Sequence, residues 1–273
     1  MSEISNKRIG ILGLGMVGSV VHDYFKNNDF SVFFYDKHLQ KGSIDEVNKA
    51  DIVFICVPTP FNKDKNYFDS SIVEEAISYI DGGKVVIIKS TILPGMLVEF
   101  QNKYPDKIFL YNPEFLREKH AIADFRSPDR QILGYTQESA DIAKEIIKIL
   151  PDAPIKMCIP SGEAEMIKYA SNTFLATKVI FATQIFKLCQ ILGLDYERVK
   201  EGVGGDPRIG NSHLSANEGK FVGYGGKCFP KDMKAFIQFS LSNKFEPFLH
   251  IAADDINEKL LKEQKISDPE ETY

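Results

Sequence analysis

The sequence has little of what would tie it to a secreted scaffold, a metal centre, a membrane or a nucleic acid. Its 273 residues hold four cysteines, Cys56, Cys158, Cys189 and Cys228, widely spaced and with no CxxC pair. That spacing suits neither a disulfide framework nor a zinc site, so no metal is expected and a reducing cytoplasm is the expected setting. No unbroken apolar run approaches the ~20 residues that cross a bilayer, and the opening MSEISNKRIG has no apolar stretch before a cleavage site. Neither a membrane span nor a signal peptide is therefore expected. Basic residues form no block and the net charge is −5. This argues against a nucleic-acid or membrane partner and leaves a phosphate-bearing small molecule open, because a few local cations and helix N-termini suffice to hold one. Internal repeats and low-complexity tracts are also missing.

What is present is a globular composition, 44% hydrophobic and 26% charged, with length for one large or two ordinary domains. The first half alternates short apolar runs (RIGILGLG, SVFFYD, DIVFICVP, KVVIIKST, KIFLYN, later QILGY) with helix-like stretches at 17–26, 70–80, 96–103 and 138–150. Nearly continuous apolar strands alternating with helices predict a parallel sheet covered on both faces. After Pro160 the pattern changes. Residues 161–193 run without proline, from Ser161 as a candidate cap to Gly193 as a stop, and read as one very long helix apolar on much of its circumference. Such a helix must be covered, between domains or between subunits, so a homodimer is expected. A glycine-rich connection, 202–226, leads to two more helices at about 230–242 and 247–263, and the polar end should fray.

Gly13-Leu-Gly15-Met16-Val17-Gly18 follows a strand and opens a helix. In GxGxxG the first glycine turns, the second admits a pyrophosphate to the backbone, and the third lets helix and strand pack closely. The second strand ends at Asp36, a carboxylate placed to accept ribose hydroxyls and repel a 2′-phosphate, which selects NAD over NADP; Lys37 and Lys41 are cations close enough to weigh the other way. The expected fold class is α/β, a Rossmann-like doubly wound parallel sheet followed by an all-helical domain with one long central helix. The expected divisions are 1–159, 160–262 and a polar tail, 263–273.

Three constellations carry chemistry. In Gly223-Tyr-Gly225-Gly-Lys227-Cys228-Phe-Pro230-Lys231-Asp232, Pro230 suits a first helical turn, which puts Cys228 at a helix N-terminus between lysines, conditions that favour thiolate. Asp232, four residues on, shares its face, and a nucleophile beside a carboxylate can serve covalent catalysis; a buried structural cysteine is the alternative. Lys168 and Asn172 lie one turn apart on the long helix, where they can donate to a developing oxyanion or stand as ordinary helical residues. Tyr111-Asn-Pro-Glu114-Phe115-Leu116-Arg117-Glu118 follows a strand, at the sheet edge where ligands bind, and offers two carboxylates for acid–base work or an exposed charged loop.

Taken together, GLGMVG, Asp36, CVPTP (56–60), KSTILPG (89–95), NPEFLRE (112–118), SPDRQILG (127–134), EAEMIKYASNTFLA (163–176), DPRIG (206–210) and GYGGKCFPKD (223–232) resemble the UDP-glucose/GDP-mannose dehydrogenase family, in family order and over nearly the whole chain. The resemblance implies oxidation of a nucleotide-sugar CH₂OH to carboxylate by two NAD⁺ in turn, through a thiohemiacetal and a thioester on Cys228, in the nucleotide-sugar metabolism that serves polysaccharide biosynthesis. It implies that Lys168 and Asn172 stabilise oxyanions, and that Asp232 positions or activates water with help from Thr91 and Glu118. It places Met16, Val17, Lys41, Thr59, Thr91, Glu118 and Lys231 with the glycines and Asp36 at NAD. Glu114, Phe115, Leu116, Arg117, Glu118, Lys168, Asn172 and Gly225 would line the sugar site, and Arg208 would reach the substrate phosphates from a neighbouring subunit. UDP-glucose is the preferred substrate, with UDP-N-acetylmannosamine and GDP-mannose as alternatives.

Two departures stand out. The family continues into a third domain over the nucleotide, whereas this sequence stops soon after Asn257, so weaker nucleotide-sugar binding is expected. The connection 211–222 is also longer than the family's and puts His213 where an aromatic is expected. A two-electron β-hydroxyacid dehydrogenase, which needs no cysteine, and a non-catalytic NAD-binding assembly subunit are the competing readings.

Overall fold

The computed structural model describes residues 7–62, 67–216 and 221–267. The chain divides into two compact units, residues 1–60 with 68–168, and residues 61–67 with 169–273. In chain order the elements are β1 (Ile9–Leu12), α1 (Met16–Asn27), β2 (Val32–Asp36), β3 (Lys41–Gly42), α2 (Ile44–Val47), β4 (Ile52–Ile55), β5 (Phe61–Asn62), β6 (Tyr67–Phe68), α3 (Ser71–Ser78), β7 (Val85–Ile88), α4 (Met96–Lys103), β8 (Ile108–Tyr111), a 3-10 turn (Glu118–His120), α5 (Ala121–Arg126), β9 (Arg130–Tyr135), α6 (Ala140–Ile146), β10 (Ile155–Pro160), α7 (Ser161–Leu192), α8 (Tyr196–Gly204), α9 (Phe229–Ser242) and α10 (Phe248–Glu263).

The first unit is an eight-stranded sheet in the order β10-β9-β8-β7-β4-β1-β2-β3. Its central strands are apolar at every position because alternate residues enter two cores. Val53 and Ile55 of β4, with Val86 and Ile88 of β7, meet Val73, Ile77, Leu97 and Phe100 on one face. Ile52, Phe54 and Ile87 meet Val21, Phe25 and Ile146 on the other. A strand side-chain period of two makes this two-sided burial the reason for the unbroken apolar runs.

The sheet departs from the all-parallel expectation at one end. β8 and β9 are antiparallel, with Tyr111 opposite Gly134, and β10 runs parallel to β9, so the last two strands oppose the central five. β3 is a short antiparallel edge on β2. The reversal after β8 is tied down by Asn112, whose amide donates to Gln131 Oε1 at 2.9 Å and to the carbonyl of Ile132 at 2.7 Å. That ties the end of β8 to the strand that returns after the 3-10 turn and α5.

β10 passes into α7 without a loop. Ala164 packs on Gly134 of β9, where a Cβ would stand 2.8 Å from the alanine methyl. Glu165, fully buried, accepts N–H bonds from Gly95 at 2.6 Å and Leu97 at 2.9 Å. Burial pushes its carboxyl up to about 7 in spite of those two donors.

The second unit is helical. Ala176, Val179 and Ile180 of α7 pack with Tyr224, Met233, Ala253 and Leu260, and a smaller cluster joins Cys189 to Tyr196 and Ala216. Helix α8 starts at an Asp195 cap and takes in the first residues of the connection expected at 202–226. Gly193, at φ +68°, ends α7.

Among the described residues α7 is long and apolar enough to cross a membrane by length and composition alone. Its buried Glu165 and Lys168, each bonded within the first unit, mark it as a core helix there. From Phe174 onward the expected burial is incomplete: Phe174 is 67%, Phe181 56% and Leu188 51% exposed. The last residues of the polar tail, 268–273, lie outside the described residues, as do 217–220 of the long connection.

Candidate active site

The glycine loop stands at the carboxyl end of β1. Gly13, at φ +90°, makes the turn and donates its N–H to the carbonyl of Tyr35 at 2.9 Å. A Cβ on Gly18 would fall 1.8 Å from the Gly13 carbonyl oxygen, so only glycine lets α1 approach the turn so closely. A Cβ on Gly15, the N-cap of α1, would meet nothing within 4 Å. The middle glycine therefore leaves space against the helix N-terminus, where unpaired N–H groups and the helix dipole attract an anion such as a pyrophosphate.

Asp36 closes this corner. Its carboxylate accepts the N–H of Leu14 at 2.6 Å and of Leu39 at 2.7 Å. Burial opposes its ionisation but is outweighed by N–H bonds from Leu39, Leu14 and His38, which hold the carboxyl below its ordinary range. Three of roughly four acceptor positions are used, which leaves capacity for one ribose hydroxyl. Of the two cations weighed against NAD, Lys37 is bonded to Glu75 at 2.7 Å, and Lys41 is exposed across the ladder from Asp36. Thr59 and Thr91, both buried, follow β4 and β7 on the same sheet edge as the glycine loop. Met16 and Glu118 line one groove with Val20, Ile122 and Arg126.

The segment after β8 is organised around Lys168. Its ammonium donates to the Glu114 carbonyl at 2.6 Å and to Glu114 Oε1 at 3.0 Å, and it lies 5.5 Å from the centre of the Phe115 ring. The Arg130 guanidinium covers that ring at 3.9 Å. Burial of Glu114 favours its neutral form, but the Lys168 charge and the Leu116 N–H overcome it, and the carboxyl sits below its usual range. The two carboxylates four residues apart differ in setting: Glu114, its side chain 11% exposed, is paired with Lys168, whereas Glu118 stands exposed in the 3-10 turn. Arg117 is also exposed, forked onto Asp124.

Lys89, the first residue of the KSTILPG stretch, carried no expected role. It is buried, donates to Asn112 Oδ1 at 2.7 Å and to the Asn112 carbonyl at 3.2 Å, and is pushed down to about 8 by burial. Its signal was a lysine directly after an apolar strand, one residue before Ser90-Thr91.

In the second unit Cys228 is the N-cap of α9, with Pro230 in the first turn as expected. Asp232 donates its N–H to the Cys228 carbonyl at 3.0 Å. Its carboxylate is buried and bridges two donors, Asn172 Nδ2 at 2.6 Å and Lys231 Nζ at 2.5 Å. Asn172 thus meets Asp232 directly, which the spacing of neither motif had announced, and Lys231, expected at NAD, is engaged by the same carboxylate. Gly225 is buried nearby in sequence. Arg208 is exposed and forked onto Asp206 two residues away. His213, at φ +61°, lies against Phe229 with ring centres 5.7 Å apart and the ring planes tilted by 52°. The other cysteines do not share this setting; burial raises the Cys56 thiol to about 12. Among the described residues no His, Cys, Asp and Glu group could hold a metal ion.

These features have counterparts in known proteins. Residues 40–150 match the NAD binding domain, and residues 162–259 the central domain, of the UDP-glucose/GDP-mannose dehydrogenase family. A UDP-glucose 6-dehydrogenase of Rickettsia bellii (strain RML369-C) is 39% identical over 201 residues, 70% of this chain and 45% of that protein. The UDP-glucose 6-dehydrogenase AglM of Haloferax volcanii is 33% identical over 234 residues, 78% of this chain and 54% of that one. The chain therefore spans about half the length of these curated relatives. The structure of a UDP-glucose dehydrogenase from the hyperthermophilic archaeon Pyrobaculum islandicum superposes with a TM-score of 0.82 at 31% identity, over 97% of this chain and 73% of that one. With two family domains matched in order, and the sheet and long helix shared with a solved relative, the chain belongs to the UDP-glucose/GDP-mannose dehydrogenase family.

Proposed function

We propose that this chain carries the four-electron oxidation of a nucleotide sugar, UDP-glucose to UDP-glucuronate: RCH₂OH + 2 NAD⁺ + H₂O gives RCOO⁻ + 2 NADH + 3 H⁺. The observation that carries the reading is a cysteine capping α9 one turn before a buried carboxylate that is itself held by Asn172. NAD accepts both hydrides. Hydride loss from the intermediate aldehyde requires a tetrahedral adduct, and the Cys228 thiolate forms one as a thiohemiacetal while preventing aldehyde escape. The second hydride leaves a thioester, which water cleaves. Lys168 offsets alkoxide charge, Asn172 donates beside it on the same helix face, and Asp232 orients the hydrolytic water. Thr91 and Glu118 assist, and Glu114, fixed on Lys168, keeps that ammonium in place. The glycine loop, Asp36 and Thr59 hold the dinucleotide.

NADH counted against nucleotide sugar consumed, over a panel of UDP-glucose, UDP-N-acetylmannosamine and GDP-mannose, tests the reading. Two NADH per UDP-glucose are expected. One NADH per substrate would point to a two-electron dehydrogenase, and NAD binding with no NADH from any sugar would point to a non-catalytic subunit.

The active form in this proposal is a homodimer. Phe174, Phe181 and Leu188 recur every seven residues on α7 and are continued by Ile191 and Leu192, 80% and 59% exposed. A seven-residue apolar repeat is the seam by which helices pair, and each large side chain covered contributes about 1.5–3 kcal/mol. Light scattering is expected to show a dimer for the wild type and a monomer for Phe181→Asp. A monomeric wild type at working concentration would remove the dimer from the proposal.

A further inference from the structure

The segment that leads to Cys228 is poor in restraints of its own. Residues 222–228 form no helix or strand, and they include Gly223 at φ +109° and Gly226 at φ +71°. Backbone of this kind loses much conformational entropy on ordering and does not hold a reactive side chain by itself. The restraint comes from α10. Val222 donates its N–H to Gln264 Oε1 at 2.8 Å and accepts from Gln264 Nε2 at 2.8 Å. Two residues on, Tyr224 donates its N–H to Asn257 Oδ1 at 2.8 Å and accepts from Asn257 Nδ2 at 3.0 Å.

Each side-chain amide thus satisfies both the N–H and the C=O of one residue, as a neighbouring strand would, and the two amides are seven residues apart on one helical face. Gln264 is itself fixed by an Nε2 bond to the Leu260 carbonyl at 2.8 Å. Asn257 is 2% exposed. Fully buried Tyr224 adds a fifth bond, from its hydroxyl to Asp254 Oδ1 at 2.8 Å, and Lys234 in turn ties Asp254 to Glu258. Gly223 is matched to the same device: a Cβ there would lie 2.5 Å from Asn257 Oδ1. Neither side-chain amide is needed to cover the core with apolar surface, and an apolar residue at 257 would do that as well. What the amides supply is register.

We infer that Asn257, seconded by Gln264, is the positioning residue for the nucleophile loop, setting where Cys228 stands at the head of α9 without touching the reacting atoms. The inference rests on the reading of Cys228 as nucleophile, and its test is chosen to separate the two. In Asn257→Leu the loop keeps its apolar contacts and loses both amide bonds. A displacement of about 1 Å at the reacting group costs up to ~10²-fold, so kcat is expected to fall ~10- to 100-fold while KM for NAD is unchanged.

The rate at which iodoacetamide alkylates Cys228, followed by mass spectrometry of its peptide, is expected to change in parallel in the same full-length protein. If Asn257→Leu fails to fold, Asn257→Asp serves, because it keeps the acceptor for the Tyr224 N–H and loses only the donor to the Tyr224 carbonyl. A smaller change in the same direction is then expected. A folded Asn257→Leu or Asn257→Asp protein with wild-type kcat and wild-type alkylation of Cys228 would overturn the inference, as would a rise in KM for NAD in step with the loss of kcat. Should the wild type give no NADH from any nucleotide sugar, the proposed function falls, yet the alkylation comparison still decides whether Asn257 places the thiol.

Discussion

Cys228→Ser is expected to lower steady-state NADH production by ~10³-fold or more, which corresponds to about 4 kcal/mol of lost transition-state stabilisation. NAD binding, which the proposed function assigns to Asp36 and the glycine loop of the first unit, is expected to stay at the wild-type level. The size of the effect follows from the nucleophile role proposed for the sulfur. A serine hydroxyl is a far weaker nucleophile near neutral pH than a thiol at a helix N-cap flanked by Lys227 and Lys231. Without the adduct the aldehyde has no route to the second hydride transfer. Mass spectrometry of the wild type quenched during turnover should find sugar on the peptide holding Cys228. Free C6 aldehyde released by the wild type, or full turnover by the serine variant, would end the covalent mechanism.

Lys168→Met is expected to act on rate and stability together. In the proposed mechanism Lys168 offsets alkoxide charge, and removing such a cation costs ~10²- to 10³-fold in kcat. It also leaves the Glu114 carboxylate, 11% exposed, without its main partner, and breaking a buried pair from one side costs about 3–5 kcal/mol. The pH dependence has a defined sign. In the wild type the Glu114 carboxyl lies below its ordinary range, so its contribution is present above the unfolded value and is lost as pH falls through the folded one. In Lys168→Met burial dominates and the carboxyl rises, so the protonated form is favoured in the fold and stability is lost as pH rises through the raised value. Urea unfolding should therefore show the variant nearest to wild type in acid and furthest from it at neutral pH. Lys168→Met with Glu114→Gln should recover much of the stability and none of the rate. Equal losses at pH 5 and pH 8 would contradict this assignment of the charge.

The features legible in the sequence were those with local causes. Six strands announced themselves by apolar runs that end in turn residues, and the long helix by 32 residues without proline. The Gly13–Gly18 turn was legible because each glycine answers a separate steric demand within six residues. Pairings made by distant parts of the chain were not. Glu114 meets Lys168 across 54 positions and Asn172 meets Asp232 across 60, and no periodicity encodes either. The reversal of β9 was hidden because a strand buried on both faces reads alike in either direction. Lys89 was hidden in a strand end, where one cation among apolar residues does not show whether it faces water or Asn112. For Arg208 the residue type was suggestive, but its nearest partner is Asp206, in the same turn.

The direct passage of β10 into α7 has a consequence for how the chain can change. Ser161 is the first helical residue and Lys168 the eighth, and helix phase between them advances by about 100° per residue with no loop to absorb an error. Where Lys168 points is thus a matter of residue count from a sheet strand, with Ala164 on Gly134 as the bearing. Along this stretch Ala164, Glu165 and Lys168 are each held by a close contact or a bond. A single residue gained or lost would swing the ammonium a quarter-turn or more away from Glu114, so this stretch tolerates no change in length.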